Sequence, residues 1–202
     1  MKKFFAALFC VSLAVTPVAA AFDIGAFGGY SSADVKVDNP GVFAGSTFRG
    51  AHFGASGHYL YSVAPWLSVG GGLYVSFAPN MAYSGEISSP NILYTNTGFS
   101  IGIEAQAKFS GLPFVSPYVK AGFGSEALRS LATYPGFSIE SKIAGSGYRF
   151  LGGVDIPVFA QIFLYIEGGI IGAWYDVTVG STSGGSARST GYAANLGAGI
   201  AF

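Results

Sequence analysis

Phe99-Ser100-Ile101-Gly102-Ile103-Glu104-Ala105-Gln106-Ala107-Lys108-Phe109 is the stretch whose reading decides the fold. Taken by twos it splits into an apolar set, Phe99, Ile101, Ile103, Ala105, Ala107 and Phe109, and a set without large apolar side chains, Ser100, Gly102, Glu104, Gln106 and Lys108. Successive side chains of a strand point to opposite faces, so this segment reads as a strand with one apolar and one polar face. A soluble sheet shows the same alternation, and its recurrence carries the argument. Strands are expected near 22–31, 51–62, 66–77, 98–109, 117–125, 148–157, 162–175 and 191–202. Most are close to the roughly 9–11 residues that cross a bilayer at a tilt.

The expected connections hold about 19, 3, 20, 7, 22, 4 and 15 residues, long alternating with short. That order suits an all-β fold, an eight-stranded antiparallel up-and-down transmembrane β-barrel with short turns at one end and long loops at the other. A two-sheet sandwich is the alternative, and it requires no such asymmetry. Half of the 202 residues are apolar, only 10% are charged and 31 are glycine. Past the first twenty residues no uninterrupted apolar run approaches the roughly 18–20 of a spanning helix. A hydrophobic chain that crosses lipid without helices must close its sheet, because lipid satisfies no backbone polar group. Ten Lys and Arg balance ten Asp and Glu, which leaves no basic surface for nucleic acid.

Residues 1–20 read as a signal peptide: Lys2 and Lys3 form the basic start, Phe4 to Val15 the apolar run, and Val18-Ala19-Ala20 the small-residue cleavage site, with cutting after Ala20 or Ala21. The barrel is then 21–202. Cleavage removes Cys10, the one cysteine, and with it any disulfide or thiolate chemistry. No proline falls at a strand centre, where it would delete a ladder hydrogen bond. Aromatics band at the strand ends: Tyr61, Trp66, Phe109, Phe114, Phe159 and Phe202 at the short-turn level, and Tyr30, Phe77, Phe99, Tyr148, Trp174 and Tyr192 at the long-loop level. Interfacial girdles of this kind belong to membrane barrels.

The last strand, Tyr192-Ala-Ala194-Asn-Leu196-Gly-Ala198-Gly-Ile200-Ala-Phe202, resembles the assembly signal of bacterial outer-membrane proteins, in which alternating apolar residues end on an aromatic. Leu196, Ile200 and Phe202 occupy the matching positions. The mature chain is similar in architecture to small barrels of the OmpW, OmpA transmembrane domain and OmpX type. The resemblance implies a bacterial outer-membrane location, loops outside and short turns in the periplasm, a monomer in lipid, and delivery by the barrel-assembly machinery. Two departures stand out: no peptidoglycan-binding domain of the OmpA kind, and none of the strand-breaking prolines associated with lateral opening in OmpW-like barrels.

If the apolar face meets lipid, the other face lines a lumen holding Asp23, Glu104, Lys108, Lys120, Arg149, Asp155 and Glu167, with His52, His58, Gln106, Tyr74 and Tyr118. Charges facing lipid would cost roughly 2–4 kcal/mol at mid-depth, so this segregation supports the register. Glu104, Lys120, Arg149 and Glu167 fall at similar heights on four consecutive strands. They read either as a salt-bridge plug that fixes register or as a switchable gate in which partners exchange. Lys108, Asp155, His52 and His58 are further lumen candidates. Inward glycines at 54, 70, 72, 102, 122, 153, 197 and 199 suggest room for a small cavity.

His52 and His58 share a face about 20 Å apart at the usual strand rise, too far for one metal, and neither has a serine two residues on. No enzyme, metal or cofactor is expected. Three roles remain open: an OmpW-like narrow conduit or binding barrel for small, mainly apolar solutes, on account of Phe27, Leu60, Leu151, Phe163 and Ile171; an adhesin-like surface interaction protein that binds a host or surface ligand through its four long loops, whose apolar residues are Val42, Phe43, Ile92, Leu93, Leu131, Phe137 and Ile143; and a structural barrel of the envelope.

Overall fold

The computed structural model describes residues 20–37, 46–85, 93–179 and 182–202. The expected signal segment up to residue 19 and the loop residues Val42, Phe43 and Ile92 lie outside the described residues, while Ala20, at the expected cleavage site, opens β1. Among the described residues period-two patterning produces nine strands: β1 (Ala20–Val37), β2 (Ser46–Ala64), β3 (Leu67–Ala78), β4 (Ala82–Gly85), β5 (Leu93–Phe109), β6 (Ser116–Tyr134), β7 (Phe137–Pro157), β8 (Ile162–Val179) and β9 (Thr182–Ala201). Eight of them close an antiparallel ring, since β1 pairs with both β2 and β9. The ninth, β4, pairs with β2 beyond the end of β3 and continues that strand's place in the ring.

Register partners fix the barrel's stagger. Followed from strand to strand, Phe27 leads to Gly54, Ser76, Ser100, Glu126, Gly145, Tyr175, Ala187 and then Val37. The ring therefore closes ten residues further along β1, a stagger that tilts eight strands by roughly 40° and leaves an interior just wide enough for side chains.

The expected strands are present, and all but β3 are longer than expected. β5 to β9 run 17–21 residues each, so much of what reads as long loop is paired strand. The clearest correction concerns 126–147, expected as a 22-residue loop. It is the upper part of a β6–β7 hairpin paired up to Tyr134 and Phe137 and turned by Pro135 and Gly136 alone. Beyond the membrane both faces of a strand are free to carry polar residues, so the backbone ladder continues where the alternation fades. Proline followed by glycine at φ +98° matches a type II turn. Nothing lies within 4 Å of where a Cβ would sit at Gly136, so Gly136→Ala tests backbone strain alone. It should lower stability by about 1 kcal/mol, read as a shift in the urea midpoint in lipid vesicles; an unchanged midpoint would show that the turn relaxes.

At one end of the barrel, hereafter the terminal end, Phe22 and Phe202 exchange backbone hydrogen bonds; β6–β7 projects from the other, the hairpin end. Around the outside the apolar face is bare: Ile103 is 65% and Leu196 62% exposed, with Val119, Phe123, Phe150, Ile166 and Ile170 alongside. A continuous apolar belt of this extent needs an apolar solvent. Trp66, Phe114, Phe159 and Phe202 are exposed at the terminal end, and Tyr30, Phe99, Trp174 and Tyr192 at the upper edge of the belt. Ile143 corrects its expected place in an exposed loop, because it is buried inside the hairpin end with Val35, Phe48, Leu128, Val177 and Ala187. The β7 register that makes Arg149 and Leu151 inward makes Ile143 inward as well.

Candidate functional site: a layered lumen

Every inward charge expected from the alternation is inward and buried or half-buried, and the partners form two larger groups and one separate pair. In one, Glu104 accepts from His58 Nε2 at 2.6 Å and pairs with Arg149 Nη2 at 2.8 Å, while His58 Nδ1 meets Asp23 at 2.8 Å. In the other, Glu167 pairs with Lys120 Nζ at 3.0 Å and accepts from Tyr118 Oη and Asn195 Nδ2, both at 2.9 Å. His52 Nε2 reaches Asn195 Oδ1 at 2.7 Å. Lys108 pairs with Asp155 towards the terminal end. The four charges of the expected network therefore form two separate pairs, Glu104 with Arg149 and Lys120 with Glu167. Arg149 also lies over the Tyr74 ring at 4.0 Å, and Lys120 near Tyr118 and Tyr165 at 4.8 and 5.6 Å.

Inward glycines explain how these partners meet. Glu104 and Arg149 are both register partners of Gly122 on the strand between them. A Cβ at Gly122 would stand 2.9 Å from Arg149 Cγ and 3.2 Å from Glu104 Cβ. His52 and Asn195 are both register partners of Gly29, and Tyr118 and Glu167 of Gly153. A Cβ at Gly153 would stand 2.5 Å from Tyr118 Cζ. Each contact therefore reaches across a strand whose side chain is missing. This corrects the expectation that inward glycines leave a cavity: rings or ion pairs lie over them, as with Tyr74 over Gly102, Tyr165 over Gly197 and Phe163 over Gly199.

The void lies higher. A cavity of about 130 Å³ sits between the ion pairs and the apolar cluster at the hairpin end. Phe27, Val35, Phe48, Leu128, Leu151 and Ile171 form its apolar wall; His52, Arg149, Asn195, Ser76, Ser100 and Glu126 are its polar lining. Of the five apolar residues expected to serve a solute, Phe27, Leu151 and Ile171 line this cavity. Phe163 and the buried Leu60 do not: Phe163 lines a gap of about 10 Å³ among the ion-paired residues Asp23, His58, Lys120 and Asp155, too small for more than one water.

Glu126 lies one residue past the strand expected at 117–125 and is not among the expected lumen residues. The signal was available in the parity of β6, where Tyr118, Lys120, Gly122 and Gly124 face inward and Glu126 follows. It makes a hydrogen bond with Ser100, and its chain lies over Gly147, whose Cβ would stand 2.2 Å from Glu126 Cγ. On the outside of the β6–β7 hairpin the Arg129 guanidinium, 2.7 Å away, holds the Glu140 carboxyl below its usual range. His58 Nε2, the nitrogen that a hydrolytic dyad would turn towards a nucleophile, is engaged by Glu104. Among the described residues no three His, Cys, Asp or Glu side chains are arranged around a metal position.

A closed ring of eight tilted strands, an apolar exterior with aromatic edges and a charge-filled interior define a transmembrane β-barrel. The chain belongs to the outer membrane protein beta-barrel domain family, whose model matches residues 4–202, and is thus a bacterial outer-membrane barrel. Its fold is similar to the outer membrane protein OprG from Pseudomonas aeruginosa, at 14% identity and TM-score 0.53 over 92% of this chain and 97% of that one. It is also similar to a major outer membrane protein from Thermus thermophilus, at 17% identity and TM-score 0.55 over 91% of this chain and 100% of that one. No curated protein matches the sequence.

Proposed function

We propose that the barrel takes a small, mainly apolar solute into the hairpin-end half of its lumen, with the hairpins outside the cell and the short turns in the periplasm. The cavity between the apolar cluster and the ion pairs carries this reading. Eight-stranded barrels generally fill their interior with side chains, whereas here about 130 Å³ stays unfilled between two packed layers. An engineered apolar cavity of roughly 150 Å³ binds benzene, so one ring is a fitting size for the solute. Entry and passage are separate steps. Passage requires the Glu104–Arg149 and Lys120–Glu167 pairs to open, which makes them a plug at rest and a gate if they exchange partners. The orientation rests on the strands that run past the apolar belt at the hairpin end, as β6 and β7 do to Tyr134 and Phe137, and on Phe202, whose exposed ring closes the strand that resembles the assembly signal.

The test is solute flux through residues 21–202 refolded into liposomes, comparing a small apolar probe with small charged ones. Selective apolar uptake is expected, and Glu104→Gln with Lys120→Met together should raise flux. If the double variant leaves flux unchanged, the pairs are a plug and not a gate. If the folded barrel neither binds nor passes the apolar probe, the solute reading fails. One observation favours a second reading, recognition of a surface ligand by the hairpin end: Tyr134 and the exposed Phe137 stack face to face at the hairpin tip, 4.6 Å apart. Binding of that kind would survive any block of the lumen.

A further inference from the structure

We infer that the solute carries a single positive charge, with Glu126 as its counter-ion: a small apolar molecule bearing an ammonium group, body towards the hairpin end and head towards Glu126. The inference rests on the solute reading above and adds the chemistry of the head group. The inward carboxylates of the described residues are Asp23, Glu104, Glu126, Asp155 and Glu167. Asp23 has His58, Glu104 has His58 and Arg149, Asp155 has Lys108, and Glu167 has Lys120, each within 4 Å. Glu126 alone among them has no cation in contact among the described residues; its hydrogen bond is to the neutral Ser100. Arg149 attracts it at longer range, but the guanidinium's contact partner is Glu104, at 2.8 Å.

The unmatched carboxylate is also the one that lines the cavity. A carboxylate drawn out of water without a partner is costly, and a bound ammonium would remove that cost with a charge-assisted hydrogen bond. The rest of the wall fits the body of such a molecule. Phe27, Phe48, Val35 and Leu128 are buried apolar surfaces, and Ser76 and Ser100, whose hydroxyls lie 3.2 Å apart, supply neutral acceptors near the head. An anionic head would instead face Glu126 at close range.

The experiment compares benzylammonium, its neutral isostere benzyl alcohol and benzoate by titration calorimetry, using the refolded mature barrel with an intact lumen. Benzylammonium should bind at least about tenfold more tightly than benzyl alcohol, and benzoate most weakly. In Glu126→Gln, which keeps the side chain's shape, the preference for the cation over benzyl alcohol should vanish. Equal affinity of the cation and the alcohol for the unmodified barrel overturns the inference and leaves the apolar cavity reading standing. A cation preference that survives Glu126→Gln overturns the assignment to Glu126. Failure of all three probes to bind overturns the solute reading together with this one. The comparison within the unmodified protein decides the charge question even if the variant does not fold.

Discussion

Glu104→Gln should lower the unfolding free energy of the barrel by about 3–5 kcal/mol, the cost of removing one partner from a buried ion pair. The Glu104 side chain is fully buried and meets two groups at once, His58 at 2.6 Å and Arg149 at 2.8 Å. A glutamine of the same shape keeps one carbonyl acceptor and loses the charge. Arg149 is then left with a guanidinium over Tyr74 and no anion in contact, and its buried Nε has no hydrogen-bond partner. Equilibrium urea unfolding in phospholipid vesicles measures the loss. The Arg129–Glu140 pair is the internal control: it has a similar length, 2.7 Å, but lies on the outside of the β6–β7 hairpin with Arg129 63% exposed. Water and salt screen such a pair, so Glu140→Gln should barely move the midpoint. If Glu104→Gln is equally mild, water reaches the ion pairs and the lumen is not dry at that level.

Ile103→Lys should cost about 2–4 kcal/mol in the same vesicles, the penalty for a cation on the lipid face near mid-depth. Ile103 is 65% exposed, and its register partners Leu73 and Phe123 are exposed apolar residues as well. A lysine there has lipid on its outer side and strands on either flank. Phe137→Lys provides the comparison, because Phe137 is also exposed but sits at the turn of the hairpin. The penalty falls towards zero outside the hydrocarbon, so this variant should lose only the stacking with Tyr134. Equal costs at the two positions would mean that the apolar belt does not meet hydrocarbon.

The glycine pattern shows where a correct local reading needs the assembled barrel to interpret it. Inward glycines at 72, 122 and 153 are visible in the sequence as small residues on the polar face, and small residues suggest space. In the ring each stands between two partners one strand to either side: Gly72 between His58 and Glu104, Gly122 between Glu104 and Arg149, Gly153 between Tyr118 and Glu167. Their role is to let long polar side chains reach past a strand. The space itself lies elsewhere, in the layer lined by Glu126, Ser100 and Phe48. Glu126 went unread because outward apolar residues become sparser beyond Phe123, although the backbone ladder continues another eleven residues to Tyr134.

Strand identity, the division of faces and the inward placement of nearly every membrane-level charge were determined by the sequence alone. Each follows from a local rule, since alternate side chains of a strand point opposite ways and lipid does not tolerate charge. The pairing of those charges was decided only by the tertiary structure. Glu104 meets Arg149 and not Lys120, and Lys120 meets Glu167, because a partner two strands away is selected by the registers of the strand between with both its neighbours. A register belongs to a pair of strands, and no single strand encodes it. The cavity and its unmatched carboxylate have the same origin: an empty volume is what remains after side chains from all the strands have packed, so it becomes visible only when the ring is closed.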